Sequence, residues 1–181
     1  MGTTTGPGDG TELRGRLVTL RPVRPEDAVA LRELRASAKV ARWWDPPEDP
    51  DWPCEEGGSS TRLTVLEDGA LVGLAQWWAE EAPQYRHAGI DLFLDPRVHG
   101  RGLGTDTVRT LARHLFEHVG HHRVVIDPAA ANAAAVRCYE KVGFRRVGVM
   151  RRYERNPGTD SWRDGMLMDL LPEDLTAAPD D

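Results

Sequence analysis

No stretch of this 181-residue chain approaches the roughly 18 consecutive apolar residues of a membrane-spanning helix. The longest apolar run, Ala70-Leu71-Val72-Gly73-Leu74-Ala75, is a third of that length. The opening residues Met1–Gly10 have neither a basic start nor an apolar centre, which argues against a secretory signal and for a cytoplasmic protein that touches no membrane. Only two cysteines occur, Cys54 and Cys138, too few and too far apart for a disulfide framework or a metal-ligand cluster. Among the six histidines His114 and His118 have ligand spacing on a defined element, an expected surface helix where a solvated face is the expected role, so no metal is expected. An excess of basic charge is also missing. The net charge of −6 disfavours nucleic acid and favours a cationic small-molecule partner. With 40% hydrophobic and 29% charged residues the chain has the composition of one ordinary domain, and at this length it can hide about 70% of its unfolded surface. Monomer and homodimer both remain open.

Periodicity divides the chain into a flexible N-terminal tail (1–12), a single α/β domain (13–171) and a loose C-terminal tail (172–181). Leu17–Arg21 alternates as a strand, and Pro25-Glu26-Asp27 opens a helix that extends to about Val40. From about Asp45 to Ser60 prolines, glycines and acids exclude regular structure, and no basic residue interrupts them. Thr61–Glu67 and Ala70–Trp78 form a hairpin through Asp68-Gly69. Gly89–Leu94 is a third strand, followed by a glycine loop and a helix to about Val119. Arg123–Asp127 is a short buried strand, Asn132–Val142 a helix closed by Gly143, and Arg145–Arg152 and Gly165–Leu170 are the last strands. A hairpin together with a strand-loop-helix unit demands one mixed, mostly antiparallel sheet flanked by helices.

Three features point to chemistry. In Gly100-Arg101-Gly102-Leu103-Gly104-Thr105 the alternate glycines let successive backbone N–H groups face one concavity at a helix N-terminus, a nest suited to phosphate oxygens. The loop lacks the Gly-Lys-Ser/Thr ending of a Walker A motif, and Thr105 stands where a dinucleotide fingerprint has its third glycine, so both nucleotide readings fail. Taken alone, a glycine turn that only reverses the chain is an equal reading. Second, Asp91 interrupts an otherwise apolar strand, where a carboxylate is costly unless it faces a cleft or a partner, and Asp127 ends the neighbouring strand. Third, six tryptophans equal phenylalanine and tyrosine together; Trp43 and Trp44, beside the acidic loop, offer flat rings that can wall a sugar, while alternation buries one of Trp77 and Trp78.

The order strand, nest and helix, followed by Asp127-Pro128 and by the Asn132, Ala135, Tyr139, Gly143, Phe144 pattern, resembles the GNAT superfamily of acetyl-CoA-dependent N-acetyltransferases. The likeness covers about Leu17 to Leu170, with His99 standing where the family loop has Gln or Arg. The segments Val40–Trp44, Gly89–Asp91, Gly102–Thr105, Asp127-Pro128 and Arg137–Lys141 resemble the aminoglycoside 6′-N-acetyltransferases. The resemblance implies a GNAT fold whose central strands splay apart, and acetyl-CoA held by His99 to Thr105, by Asn132 and Tyr139, and by the backbone of Phe93 and Leu94. It further implies Asp91 as acceptor-binding base, Tyr139 as proton donor to the leaving sulfur, and Asp127, Asp164, Trp43 and Trp44 as acceptor-facing residues. The implied activity is acetylation of an aminoglycoside 6′-amine, hence antibiotic resistance. A lysine or siderophore, a polyamine or a protein N-terminus are rival acceptors. A catalytically silent coenzyme A or cationic-drug binder is the rival of another class.

Overall fold

The computed structural model describes residues 12–55, 57 and 59–177. Its elements are β1 (Leu13–Arg14), β2 (Thr19–Pro22), α1 (Ala28–Ala36), α2 (Ala38–Ala41), β3 (Thr61–Glu67), β4 (Ala70–Glu80), β5 (His87–Leu94), α3 (Leu103–Glu117), β6 (Val124–Ile126), α4 (Ala133–Val142), β7 (Arg145–Arg155) and β8 (Trp162–Leu170). Among the described residues all eight strands join one sheet in the order β1-β2-β3-β4-β5-β6-β8-β7. Only the β5–β6 contact is parallel, as the mixed sheet expected from the sequence requires. Residues 1–11 of the expected N-terminal tail and the last four residues lie outside the described residues.

The β3–β4 hairpin turns on Asp68 and Gly69, which both adopt positive φ (48° and 81°), the geometry whose twist matches the flanking strands. β4 then pairs with β5 along eight residues, from Gly73↔Leu94 to Glu80↔His87. β5 and β6 hold together only through Ala88↔Val124 and Gly89↔Val125. Beyond those pairs the strands part, so the central pair splays.

Alternation along the strands separates two cores. Leu63, Val65, Ala75, Trp77 and Ile90 point toward α3 and α4 and join Leu111, Leu115, Val124, Met168 and Leu170. On the opposite face Leu74 and Phe93 pack with Leu31, Val40 and Trp52 under α1, α2 and the acidic loop. Trp77 is buried and Trp78 half-buried, the division that alternation demands.

Two segments depart from expectation. The single helix predicted from Pro25 to Val40 is a 3-10 turn followed by α1 and α2, because Ser37 is extended (ψ 140°) and its hydroxyl donates to the Leu34 carbonyl at 2.6 Å, competing with helix propagation. Residues 172–177, expected to be loose, are docked. Gly143 closes α4 at φ 116°, and a Cβ there would lie 1.9 Å from the Asp174 carbonyl oxygen. Thr176 donates its N–H to Val142 at 2.9 Å, and Arg109 reaches the Thr176 carbonyl at 3.0 Å.

Two buried acids fasten the N-terminal half. Asp106, in the first turn of α3, accepts the N–H groups of Leu17 (2.6 Å) and Val18 (3.1 Å). Asp27 takes both arms of Arg21 (2.6 and 2.8 Å), the Arg24 N–H (2.9 Å) and the Thr64 hydroxyl (2.7 Å). The Arg21 guanidinium and these donors lower the Asp27 carboxyl to about 2. Asp27→Ala, which strands Arg21, should cost on the order of 3 kcal/mol in urea unfolding at pH 7. Because the folded carboxyl sits below its ordinary value, the pair's contribution is full above pH 4 and should fade as pH drops toward 2.

Candidate active site

Asp91 and Asp127 each stand two residues beyond the last β5–β6 pair, Gly89↔Val125, and therefore at the mouth of the splay. Burial pushes the Asp91 carboxyl up to about 6, and the charge of Asp127 adds to the shift; a hydrogen bond from Gln76 Nε2 to Asp91 Oδ2 at 3.4 Å opposes it, and Glu154 raises it slightly further. Asp127 is likewise raised by burial, against the pull of the Tyr153 hydroxyl, which donates to Asp127 Oδ2 at 2.5 Å. That bond and burial push the Tyr153 phenol above its usual range.

The third acid of the group is Glu154, whereas Asp164 was the one expected from the sequence. Glu154 pairs across β7 and β8 with Arg163 at 2.6 Å. Arg163 also donates to the carbonyls of Trp43 (2.8 Å) and Arg42 (3.0 Å), and its guanidinium lies 5.4 Å from the Trp43 ring. One arginine thus ties the end of α2, a tryptophan ring and an acid together. Asp164 accepts the Arg152 N–H at 2.8 Å where β7 bulges, and the charges acting on Asp91 are those of Asp127 and Glu154. Trp44 packs edge-on against Phe93 at 5.1 Å in the second core, leaving Trp43 as the ring beside the acids.

Tyr139 reaches the same region from α4. It is buried, and desolvation, with the nearby Cys138, Asp91 and Asp127, drives its hydroxyl far above the ordinary range, so it stays protonated and able to donate.

The glycine loop has the geometry of a nest. Gly100 and Gly102 have φ of 78° and 86°, and Gly102 caps α3. The first intrahelical bond runs from the Asp106 N–H to Gly102, which leaves the amides of Leu103, Gly104 and Thr105 pointing out at the positive end of the helix dipole. The side chains of the loop are engaged elsewhere: the His99 Nε2–H donates to Leu94 (3.1 Å), Arg101 pairs with Glu67 (2.6 Å), Thr105 contacts the Cys138 sulfur (3.4 Å) and Leu103 is buried in the main core. What the loop offers a pyrophosphate is therefore backbone. Asn132 caps α4 by accepting the Ala135 N–H at 3.3 Å, a structural duty. The Phe93 and Leu94 side chains enter the two opposite cores, so those residues too have only their backbone to offer.

Of the residues singled out in the sequence, the fold brings Asp91, Asp127 and Tyr139 together, with Trp43 linked to them through Arg163 and Glu154; Gln76, Tyr153, Glu154 and Arg163, which the sequence reading did not single out, lie beside them. Gln76 carried a signal, being a polar residue in the apolar run Leu71–Trp78. The others lie on parts of β7 and β8 beyond the expected strand ends, past a bulge at Arg152 (φ 50°) that no local motif announces.

Residues 17–145 match the Acetyltransferase (GNAT) domain family. The chain is 32% identical over 157 residues to the aminoglycoside N(6′)-acetyltransferase type 1 of Klebsiella pneumoniae, across 74% of this chain and 76% of that protein. Its fold superposes on that of Mycobacterium smegmatis RimJ in complex with CoA-disulfide with a TM-score of 0.77, at 24% identity over 93% of this chain and 89% of that one. AAC(6′)-Ib in complex with paromomycin and acetyl-CoA superposes with a TM-score of 0.70, at 26% identity over 87% of this chain and 94% of that one.

Removing the Asp127 charge should lower the Asp91 titration midpoint from about 6. Carboxyl carbon NMR of Asp127→Asn against the parent reads this directly, and an unchanged or higher midpoint would separate the two acids.

Proposed function

The chain belongs to the GNAT acetyltransferase family and is an acetyl-CoA-dependent N-acetyltransferase, and on that premise we propose that its acceptor is an aminoglycoside, acetylated on the 6′-amine. The observation that carries this reading is the group of three carboxylates, Asp91, Asp127 and Glu154, acting on one another at the mouth of the splay beside the Trp43 ring. Several acids spaced around one cleft suit a polycation, and a flat ring suits the apolar face of a sugar. The 6′-acetyltransferase likeness of the Klebsiella protein supports the same acceptor. Cytoplasmic drug inactivation, and hence resistance, follows from it.

Acetyl-CoA supplies the acetyl group and a thiolate leaving group. In our reading the Leu103, Gly104 and Thr105 amides hold the pyrophosphate, while the splay between β5 and β6 receives the amide-bearing arm as an added strand would be received. Asp91 holds the acceptor ammonium and takes its proton, a task suited to a carboxyl near 6. Tyr139 gives a proton to the departing sulfur. Asp127 and Glu154 hold the other amines, and Trp43 packs a sugar ring. A catalytically silent binder would have no use for a base and a buried proton donor facing one splay.

A coenzyme A release screen across 6′-amino and 6′-hydroxy aminoglycosides, spermidine and peptide N-termini tests the acceptor. Turnover confined to the 6′-amino compounds is expected; turnover on spermidine or peptides alone would overturn it. Asp91→Asn should lower kcat by about 10²–10⁴-fold, whereas Asp127→Asn should act mainly on KM. For the parent enzyme kcat/KM should rise as pH climbs through about 6, because the base must lose its proton. Gly102→Val places a Cβ where φ is 86° and should weaken acetyl-CoA binding at least about tenfold by calorimetry, with the circular dichroism retained.

A further inference from the structure

We infer that Gln76 and Arg62 are positioning residues for Asp91: a row of side chains that begins at Glu55 in the acidic loop fixes the Gln76 amide with its N–H, and not its carbonyl oxygen, toward the base. The inference rests on the reading of Asp91 as the base and goes beyond it by giving the acidic loop a part in the reaction.

The row is a product of strand register. Arg62 of β3 stands opposite Gln76 of β4, and Gln76 stands opposite Asp91 of β5, so the three side chains lie abreast on one face of the sheet. They continue the line of Thr64, Leu74 and Phe93. Arg62 Nε donates to Gln76 Oε1 at 3.3 Å, and Gln76 Nε2 donates to Asp91 Oδ2 at 3.4 Å. An amide can be turned end for end at almost no cost in shape, so its neighbours decide which end faces where. A guanidinium has only donors, and the Arg62 contact therefore claims the oxygen and leaves the nitrogen for Asp91.

Arg62 is in turn held from the loop. Its Nη2 lies 2.5 Å from Glu55 Oε1 and its Nη1 donates to the Pro53 carbonyl at 3.3 Å. The Arg62 and Glu55 side chains are only 15% and 13% exposed. Glu55 thus differs from Glu48, Asp49 and Asp51 of the same loop, which face solvent. The loop itself is pinned to α1 by Arg32, which donates to the carbonyls of Pro50 and Trp52, each at 2.6 Å. The anchor behind Gln76 is accordingly tied to α1 through the loop.

The groups facing Asp91 show why the orientation matters. Asp127 at the end of β6 and Glu154 of β7 oppose a charge on Asp91. Tyr139 of α4 and Tyr153 of β7 are neutral phenols, and the Tyr153 hydroxyl is spent on Asp127. Gln76, from β4, supplies a hydrogen bond that favours the ionised carboxylate. Turned around, it would set a carbonyl oxygen against that carboxylate and keep the base protonated to higher pH.

Two measurements on the full chain test this: the Asp91 midpoint by carboxyl carbon NMR, and the acidic limb of kcat/KM for kanamycin A acetylation. Gln76→Leu should raise both by roughly half to one pH unit, the scale of a weak hydrogen bond to a charged group. Arg62→Gln should raise both in the same direction, and the double variant should move no further than Gln76→Leu alone, since Arg62 acts through Gln76. If Arg62→Gln does not fold, Glu55→Gln should give a smaller shift of the same sign. Unmoved midpoints in variants that fold, or additive shifts in the double variant, would overturn the inference. Asp91→Asn is the separating control: normal turnover there would refute Asp91 as the base, a failure distinct from unmoved midpoints in the Gln76 and Arg62 variants.

Discussion

Everything that distinguishes this molecule from a plain mixed sheet follows from two parallel strands that stay paired for only two residues. Once β5 and β6 separate after Gly89 and Val125, the backbone groups along that edge of β5 lose a strand partner, and the two chain segments carry Asp91 and Asp127 into the opening. The α3–α4 layer closes one side, bringing Tyr139 up from below. The α1–α2 layer packs on Leu74 and Phe93 of the other face, where the acidic loop continues the cover over Arg62. The nest sits at the start of α3 because β5 runs directly into the glycine loop. Donor loop, opening and acids are thus consequences of one local failure of strand pairing.

The chain uses carboxylates in two contrasting ways. Asp27 and Asp106 are surrounded by donors, and their charge is fully occupied in holding β2 against the 3-10 turn and α3. Asp91 and Asp127 have acids for neighbours, against which Gln76 donates to the first and Tyr153 to the second. The first pair belongs to the fold. The second is held in an environment that resists ionisation, and this tunes a carboxyl toward proton transfer near neutral pH.

How much of this could be read from residues alone varied with the range of the cause. The Asp68-Gly69 hairpin, the Gly102 cap and the Gly143 closure are local, and they are visible because positive φ leaves a signature in residue type. Asp91 was visible because a charge inside an apolar strand breaks the pattern. The partners of the His99, Arg101 and Thr105 side chains, namely Leu94, Glu67 and Cys138, were not legible because they are set by tertiary packing. Glu154 and Arg163 were hidden by a bulge that shifts register, and Arg62 by the sheet itself: its link to Asp91 exists only because three strands align across 29 residues of sequence. The docking of residues 172–177 likewise rests on contacts of the Thr176 backbone, with the Val142 carbonyl and the Arg109 guanidinium, that carry no local signal.

The cluster of acids at the opening has a thermodynamic consequence of its own. Bringing Asp91 and Asp127 together where burial disfavours their charge works against folding wherever they are ionised, and the nearby Arg163 is paired with Glu154. The polypeptide is therefore short of positive charge at one place, and an amine that enters the opening completes its electrostatics as well as its reaction. Linkage makes these a single quantity: whatever amine binds the folded chain most tightly, and not the unfolded one, is also the solute that protects it best against heat.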